Sequence, residues 1–179
     1  VKDANECATT IAVSITEPSA LTVSASKTDI LCFGETSTVT LTATGGTGTY
    51  LFSKDGGTTF VSSNVFAGLA AGNYSFIVKD ANNCLVTVPV SITEPSLLTL
   101  SASKTDILCF GETSTVTLTA TGGTGAYQFS KDGGVTFVSS NSFSGLVAGN
   151  YSFIVKDANE CATTIAVSIT EPSALTVSA

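Results

Sequence analysis

Residues 39–52, VTLTATGGTGTYLF, decide the fold class, because they read as a strand, a tight turn and the start of a second strand. The apolar residues at 39, 41 and 43 alternate with threonines, which is the period-two pattern of a strand with one buried and one solvated face. The glycine-rich run Gly45-Gly46-Thr47-Gly48 predicts the turn, and Tyr50-Leu51-Phe52 opens the next strand. This stretch predicts an all-β domain.

Strand patterns continue on both sides of this stretch. Lys54-Asp55-Gly56-Gly57 is a hairpin signal, and Pro89 places the last strand at a sheet edge because proline has no N–H to donate. The predicted strands lie at Leu21–Ala25, Val39–Ala43, Tyr50–Phe52, Thr59–Val61, around Phe66, Tyr74–Val78 and Val86–Ile92. Seven short strands with turns every 8–12 residues predict a two-sheet sandwich of the immunoglobulin or fibronectin type III kind.

The sandwich is repeated along the chain. Residues 1–25 recur letter for letter as 155–179, and Thr22–Leu98 differs from Thr99–Leu175 at 13 of 77 positions. A period of 77 residues suits a small self-contained domain rather than a solenoid repeat. We therefore expect end-to-end sandwiches, divided into the C-terminal remnant of one repeat (1–21), two whole repeats (22–98 and 99–175) and the start of another (176–179).

Composition excludes several classes of function. The net charge is -7, with 14 acidic and 7 basic residues, which disfavours binding to nucleic acid or to an anionic membrane. No apolar run approaches the roughly 20 residues of a membrane-spanning helix. Histidine is absent, and no motif combines a base, an orienting group and a nucleophile, so we expect no enzyme, no cofactor and no metal site. Acidic residues at turns, such as Asp55, Asp80 and Glu94, are expected to be hydrogen-bonded turn residues rather than calcium ligands.

A tyrosine follows a glycine turn at the same place in each repeat. Leu69-Ala-Ala-Gly72-Asn-Tyr74 and its counterpart ending in Tyr151 are similar to a tyrosine corner, whose hydroxyl bonds to upstream backbone. Ligand stacking is the alternative for Tyr74 and Tyr151. We favour the structural role because Phe76 and Val78 share the strand face of Tyr74 and belong to the core.

The five cysteines follow the repeat, since Cys7, Cys84 and Cys161 stand 77 apart, as do Cys32 and Cys109. Their spacing fits no zinc pattern, so disulfides in an oxidising compartment are expected. Pairing within repeats would join Cys32 to Cys84 and Cys109 to Cys161, closing a loop that contributes about 4 kcal/mol in the chain-entropy model. These cysteines fall at opposite ends of a sandwich, however, so we prefer a bridge between repeats, Cys32 to Cys161, and keep both pairings open.

Short proline linkers separate the repeats. Pro18, Pro95 and Pro172 each follow a glutamate, and only Glu94-Pro95-Ser96 lies between the last strand of one repeat and the first of the next. Proline fixes its own φ and pushes the preceding residue toward extended geometry. The linkers predict a stiff connection between neighbouring repeats.

An ordered string of landmarks resembles the SprB-type repeat. The landmarks are Cys-Phe-Gly, Gly-Gly-Thr-Gly-x-Tyr, Leu-x-x-Gly-x-Tyr, Val-Lys-Asp-Ala-Asn-x-Cys and Ile-Thr-Glu-Pro, and both full repeats carry them. Phe52 and Phe129 stand where many such repeats carry tryptophan. The resemblance implies a very long cell-surface adhesin of the gliding or biofilm-forming Bacteroidota, outside the cell and typically exported by type IX secretion.

Two functions follow from these observations. The first is a structural or adhesive segment that forms a stiff stalk or filament, with neighbouring repeats, and in a bundle other copies, as its partners. The alternative is a multivalent module with one weak carbohydrate- or surface-binding site in every repeat. The 13 positions that differ between the repeats leave no unchanged group of aromatic residues on an outer face. A sugar site present in every repeat would need such a group, so the differences favour the stalk.

Overall fold

The structure, a computed structural model, describes residues 1–178, and in this range every regular element is a strand. The predicted all-β fold is therefore confirmed. The first repeat contains β1 (Thr22–Lys27), β2 (Ser37–Thr44), β3 (Leu51–Ser53), β4 (Val65–Leu69), β5 (Gly72–Lys79) and β6 (Leu85–Ile92). The second contains β7 (Thr99–Lys104), β8 (Ser114–Thr121), β9 (Gln128–Ser130), β10 (Ser142–Leu146), β11 (Gly149–Lys156) and β12 (Ala162–Ile169). The expected start of a further repeat, 176–179, ends on Ala179, which lies outside the described residues.

Each repeat folds into two three-stranded sheets, with strand orders β1-β2-β4 and β3-β5-β6 in the first and β7-β8-β10 and β9-β11-β12 in the second. Neighbouring strands are antiparallel; β11, for example, pairs with β12 from Gly149 opposite Ile169 to Lys156 opposite Ala162. β6, which contains Pro89, lies at the edge of its sheet, the position at which a strand tolerates a residue without an N–H.

The core of the second repeat lies between its two sheets. Val116 and Leu118 of β8 meet Phe153 and Val155 of β11, and all four are fully buried. The sheets therefore pack face to face as a sandwich. The equivalent side chains of the first repeat, Val39, Leu41, Phe76 and Val78, are also fully buried.

The expected strand at Thr59–Val61 does not form. Only an isolated bridge between Phe52 and Val61 remains, and the second repeat has the same bridge between Phe129 and Val138. The cause is a side-chain turn in which the N–H of Thr59 donates to the carboxylate of Asp55 at 2.9 Å. An N–H that is held by a side chain cannot join a ladder, so each repeat has six strands instead of seven.

The compact units of the fold are not the sequence periods. One unit comprises Val1–Ser26, Val39–Phe66 and Tyr74–Val90, and the other comprises Lys27–Thr38, Ala67–Asn73 and the chain from Ser91 onward. The loop that carries Cys32 thus belongs to the same compact unit as the whole second repeat.

Residues 1–20 are exposed throughout, although 8–15 have the sequence of β12. They form no strand, and a single bridge between Lys2 and Ala8 is the equivalent of the pair Lys156 and Ala162 in the second repeat. A local turn survives there, with the N–H groups of Asn5 and Cys7 both donating to the carboxylate of Asp3 at 2.9 Å.

Candidate functional site: the cysteine junction

The loop after β1 holds Cys32 at the start of a tight turn. The N–H of Glu35 donates to the carbonyl of Cys32 at 3.2 Å, and the Glu35 carboxylate accepts the N–H of Cys32 at 3.2 Å. The side chain of Glu35 therefore closes the turn from both ends, and Cys32 is presented at its first position.

The linker after β6 is attached to this loop. The carboxylate of Glu94 accepts the N–H of Gly34 at 2.7 Å, and the ammonium of Lys27 donates to the carbonyl of Ser91. Glu94 is thus hydrogen-bonded, but it lies in the linker rather than in a local turn, and its partner is 60 residues away, which its sequence context did not reveal. The contact holds the backbone immediately before Pro95.

A second turn, after β11, presents Cys161. The carboxylate of Asp157 is buried and accepts the N–H groups of Asn159 at 2.9 Å and Cys161 at 3.0 Å, while the N–H of Thr124 donates to its other oxygen at 2.8 Å. Glu160 adopts a positive φ of 66°, which turns the chain just before the cysteine. The predicted turn in Val-Lys-Asp-Ala-Asn-x-Cys is present, and its aspartate organises it.

These two turns meet within the second compact unit. Cys32 and Cys161 form a disulfide with a Cα–Cα distance of 5.7 Å, inside the range that bonded cysteines require. Beside it the side-chain amide of Asn159 donates to the carbonyl of Leu31 at 3.0 Å. The bridge joins the first repeat to the second, and the intra-repeat partners Cys84 and Cys109 are exposed free thiols.

Tyrosine hydroxyls close the turns at the strand ends. Tyr151 donates to the carbonyl of Val147 at 3.0 Å, four residues upstream, as in a tyrosine corner. Tyr74, at the equivalent position, stacks on Phe76 with ring centroids 6.1 Å apart. The hydroxyls of Tyr50 and Tyr127 donate at 2.7 Å to Gly45 and Gly122 of the glycine turns, a role that the sequence did not reveal.

Several turn carboxylates have lowered pKa values. Hydrogen bonds from the side chain and N–H of Thr59, and from the Ser53 hydroxyl, hold the pKa of Asp55 well below its usual range. The equivalent Asp132 is held low by Ser130 and Thr136.

Burial raises the pKa of Asp80, but the N–H groups of Thr47, Cys84 and Asn82 outweigh it, so the pKa of Asp80 is lowered as well. A carboxylate that accepts several N–H bonds stays ionised and holds its turn together.

Among residues 1–178 no three cysteine or acidic side chains are grouped so as to hold a metal ion. The described part of the chain also has no helix that could cross a membrane. A cleft of about 560 Å³ lies beside the junction, between Asp29, Glu94 and Asn159, and none of its lining residues is aromatic.

The two full repeats are similar to a known protein family. The family model described as SprB repeat matches residues 24–59 and 101–136, which are equivalent segments of the two full repeats. The SprB-type resemblance is therefore confirmed, since each full repeat contains a segment that matches this model, and SprB repeats belong to cell-surface proteins.

Among solved structures, the chain is similar to the crystal structure of a C-terminal 282-residue fragment of intimin in complex with the intimin-binding domain of the translocated intimin receptor. The sequence identity is 16% and the TM-score 0.47, over 88% of this chain and 64% of that chain. The chain thus spans less than two thirds of that fragment's length. No curated protein matches the chain.

Proposed function

We propose that this chain is a segment of an extracellular stalk in which SprB-type repeats are joined by disulfide bridges into a stiff, mechanically continuous array. The observation that carries the proposal is the bridge from Cys32 to Cys161, which links two repeats through residues 129 positions apart. Its role is mechanical and adhesive rather than catalytic.

Two connections between the repeats support stiffness. The covalent chain passes through Pro95, whose φ is fixed by its ring, and the disulfide joins Cys32 of the first repeat to Cys161 of the second. Within the first repeat, the Glu94 carboxylate binds the N–H of Gly34 and so anchors the residue before the proline. A junction held by an anchored proline linker and a disulfide resists bending and twisting more than a single flexible linker does.

The same disulfide bridge also indicates the cellular compartment in which the chain functions. Disulfides persist in oxidising surroundings outside the cytosol, which agrees with a SprB repeat on the cell surface. Export by the type IX route, which the resemblance implies, belongs to this proposal. Antibody labelling of intact cells tests it, and labelling that persists in a strain without that system would contradict the route.

Stalk formation is preferred to multivalent sugar binding because the cleft between Asp29, Glu94 and Asn159 offers no aromatic ring for a sugar to stack on, and the cleft beside the disulfide offers Phe33 alone. A glycan array probed with the whole chain checks this preference. Specific binding that recurs for one sugar class would reverse it.

Small-angle X-ray scattering of the chain with its disulfide intact and after reduction tests stiffness. We expect one extended particle when oxidised, with a rise of roughly 35–40 Å per repeat if strands of about 30 Å are capped by turns. Reduction or Cys32→Ser should broaden the distribution of sizes, whereas Cys84→Ser should not. Free hinging of the two repeats while the disulfide is intact would contradict the stalk.

A further inference from the structure

We propose that Asn159 is the positioning residue of the cysteine junction, whose side-chain amide docks the loop of Cys32 on the turn of Cys161 and so favours the disulfide. The inference rests on the proposed function and deepens it, because it names the group that brings the two turns together. The observation behind it is the hydrogen bond from the Asn159 amide to the carbonyl of Leu31 at 3.0 Å, between residues 128 positions apart.

The peptide group between Leu31 and Cys32 is held from both sides. Its N–H, which belongs to Cys32, donates to the Glu35 carboxylate at 3.2 Å. Its carbonyl, which belongs to Leu31, accepts the amide of Asn159 at 3.0 Å. The first bond comes from within the loop and the second from the second repeat. Because the peptide group is planar, fixing its donor and its acceptor also fixes the direction in which the backbone presents Cys32.

The carbonyl of Leu31 also lies next to the other sulfur of the bridge. The Sγ of Cys161 is 3.3 Å from this oxygen. The Asp157 carboxylate accepts the N–H groups of Asn159 at 2.9 Å and of Cys161 at 3.0 Å, so one turn presents both the amide and the sulfur. When the amide binds the carbonyl of Leu31, the sulfur of Cys161 is therefore held beside the residue that it must bond.

The amide is not needed to form the turn that carries it. In the equivalent turn of the first repeat, the Asp80 carboxylate accepts the N–H groups of Asn82 at 2.9 Å and of Cys84 at 2.8 Å. The side chain of Asn82 is exposed, and its amide makes no hydrogen bond within the described residues. Asn159, in contrast, is half-buried. The amide of Asn159 thus serves the junction rather than its own turn.

No other polar side chain of the second repeat takes this role. Among residues 1–178, the Asn159 amide is the one side-chain nitrogen or oxygen of the second repeat that hydrogen-bonds the loop between β1 and β2. The disulfide and this amide are therefore the covalent and the hydrogen-bonded links between that loop and the second repeat. The amide can form its link while both cysteines are still reduced.

The chemistry that the amide favours is a two-electron oxidation. The thiols of Cys32 and Cys161 lose two protons and two electrons and form one S–S bond, and glutathione disulfide accepts both and leaves as two glutathione thiols. A contact that holds the two thiols together raises the effective concentration of one at the other, and with it the equilibrium fraction of the bridge.

The test uses the whole chain with Cys7→Ser, Cys84→Ser and Cys109→Ser, which removes the three exposed free thiols and leaves Cys32 and Cys161. This background is equilibrated in glutathione buffers of graded ratio, and the bridged fraction is measured by thiol alkylation and peptide mapping. The squared concentration of glutathione thiol divided by that of its disulfide, at half formation of the bridge, gives the effective concentration of the two cysteines.

We expect Asn159→Ala to lower this effective concentration by about threefold to tenfold, the factor that one hydrogen bond of ordinary strength represents. Asn159→Asp should lower it at least as much, because it keeps the shape of the side chain and the turn but replaces the donor by a carboxylate. Asn82→Ala is the matched control, since it changes the same position of the same turn without a junction contact, and it should have no effect.

An effective concentration that Asn159→Ala leaves unchanged would overturn the inference. An equal fall with Asn82→Ala would overturn it as well, because the effect would then come from the turn. If the background itself formed no bridge between Cys32 and Cys161, the proposed function would fail together with this inference. A bridge that forms equally well without the amide contradicts this inference alone.

Discussion

At the scale of single residues, the glycine turns are held by a contact that no other residue can make. Gly122 has a φ of +80°, and a Cβ there would lie 2.0 Å from the carbonyl oxygen of Leu97. The Tyr127 hydroxyl bonds to the carbonyl of the same glycine. The turn therefore packs its bare backbone against the start of the repeat, next to the linker.

We expect Gly122→Ala to destabilise the protein by about 3 kcal/mol or more, since it combines left-handed strain of about 1–2 kcal/mol with a backbone clash. Gly145→Ala is the matched control, because φ is +72° there but no atom lies within 4 Å of the added Cβ. It should cost only about 1–2 kcal/mol. Urea denaturation of both variants measures the difference, and equal losses would show that the close approach is unimportant.

At the scale of elements, the turn after β3 replaces the seventh strand. The Ser53 hydroxyl accepts the N–H of Gly57 at 2.9 Å and donates to Asp55 at 2.7 Å, so the segment satisfies its polar groups locally. Phe60 lies under the ammonium of Lys79, 4.4 Å from the ring centroid, and this contact ties the turn to β5. The Asp55 carboxylate, together with the single bridge between Phe52 and Val61, holds this segment in place.

The stability of the folded protein should accordingly depend on pH. The pKa values of Asp55, Asp80 and Asp132 are lowered by folding. Their contribution is complete above the unfolded aspartate pKa of about 3.9 and is lost as pH falls below it. We expect a melting temperature that is level above about pH 5 and declines toward pH 2. Asp55→Asn with Asp132→Asn should flatten the decline, and a melting temperature independent of pH would refute the assignment.

At the scale of the whole molecule, the disulfide is a covalent link within the second compact unit, between the loop of Cys32 and the turn of Cys161. Cys161→Ser removes a constraint on a 129-residue separation. The chain-entropy model assigns such a loop about 5 kcal/mol.

We expect Cys161→Ser to lower the urea midpoint clearly, whereas Cys84→Ser, at the equivalent position of the first repeat, should leave it unchanged because that thiol is free. Reduction of the unsubstituted chain should reproduce the effect of Cys161→Ser. An equal response of the two serine variants would mean that the bridge adds nothing to stability.

The sequence by itself determined the features that depend on neighbours along the chain. Alternation in β2 predicts which side chains are buried, and the Asp-Ala-Asn-x-Cys turn forms from hydrogen bonds that span at most four residues. That turn is present even at Asp3 to Cys7, where no strands flank it. Such features can be predicted from the sequence because local geometry suffices to form them.

Only the tertiary structure decided the rest, because those features join residues far apart in the chain. Cys32 had two candidate partners, and although the sequence favoured Cys161, only the packing of the second compact unit, which brings the two loops together, decided between them. The bond from Glu94 to Gly34 spans 60 residues. The segment at Thr59 is an exception, because the bond that keeps its N–H out of a strand runs to the carboxylate of Asp55, only four residues away.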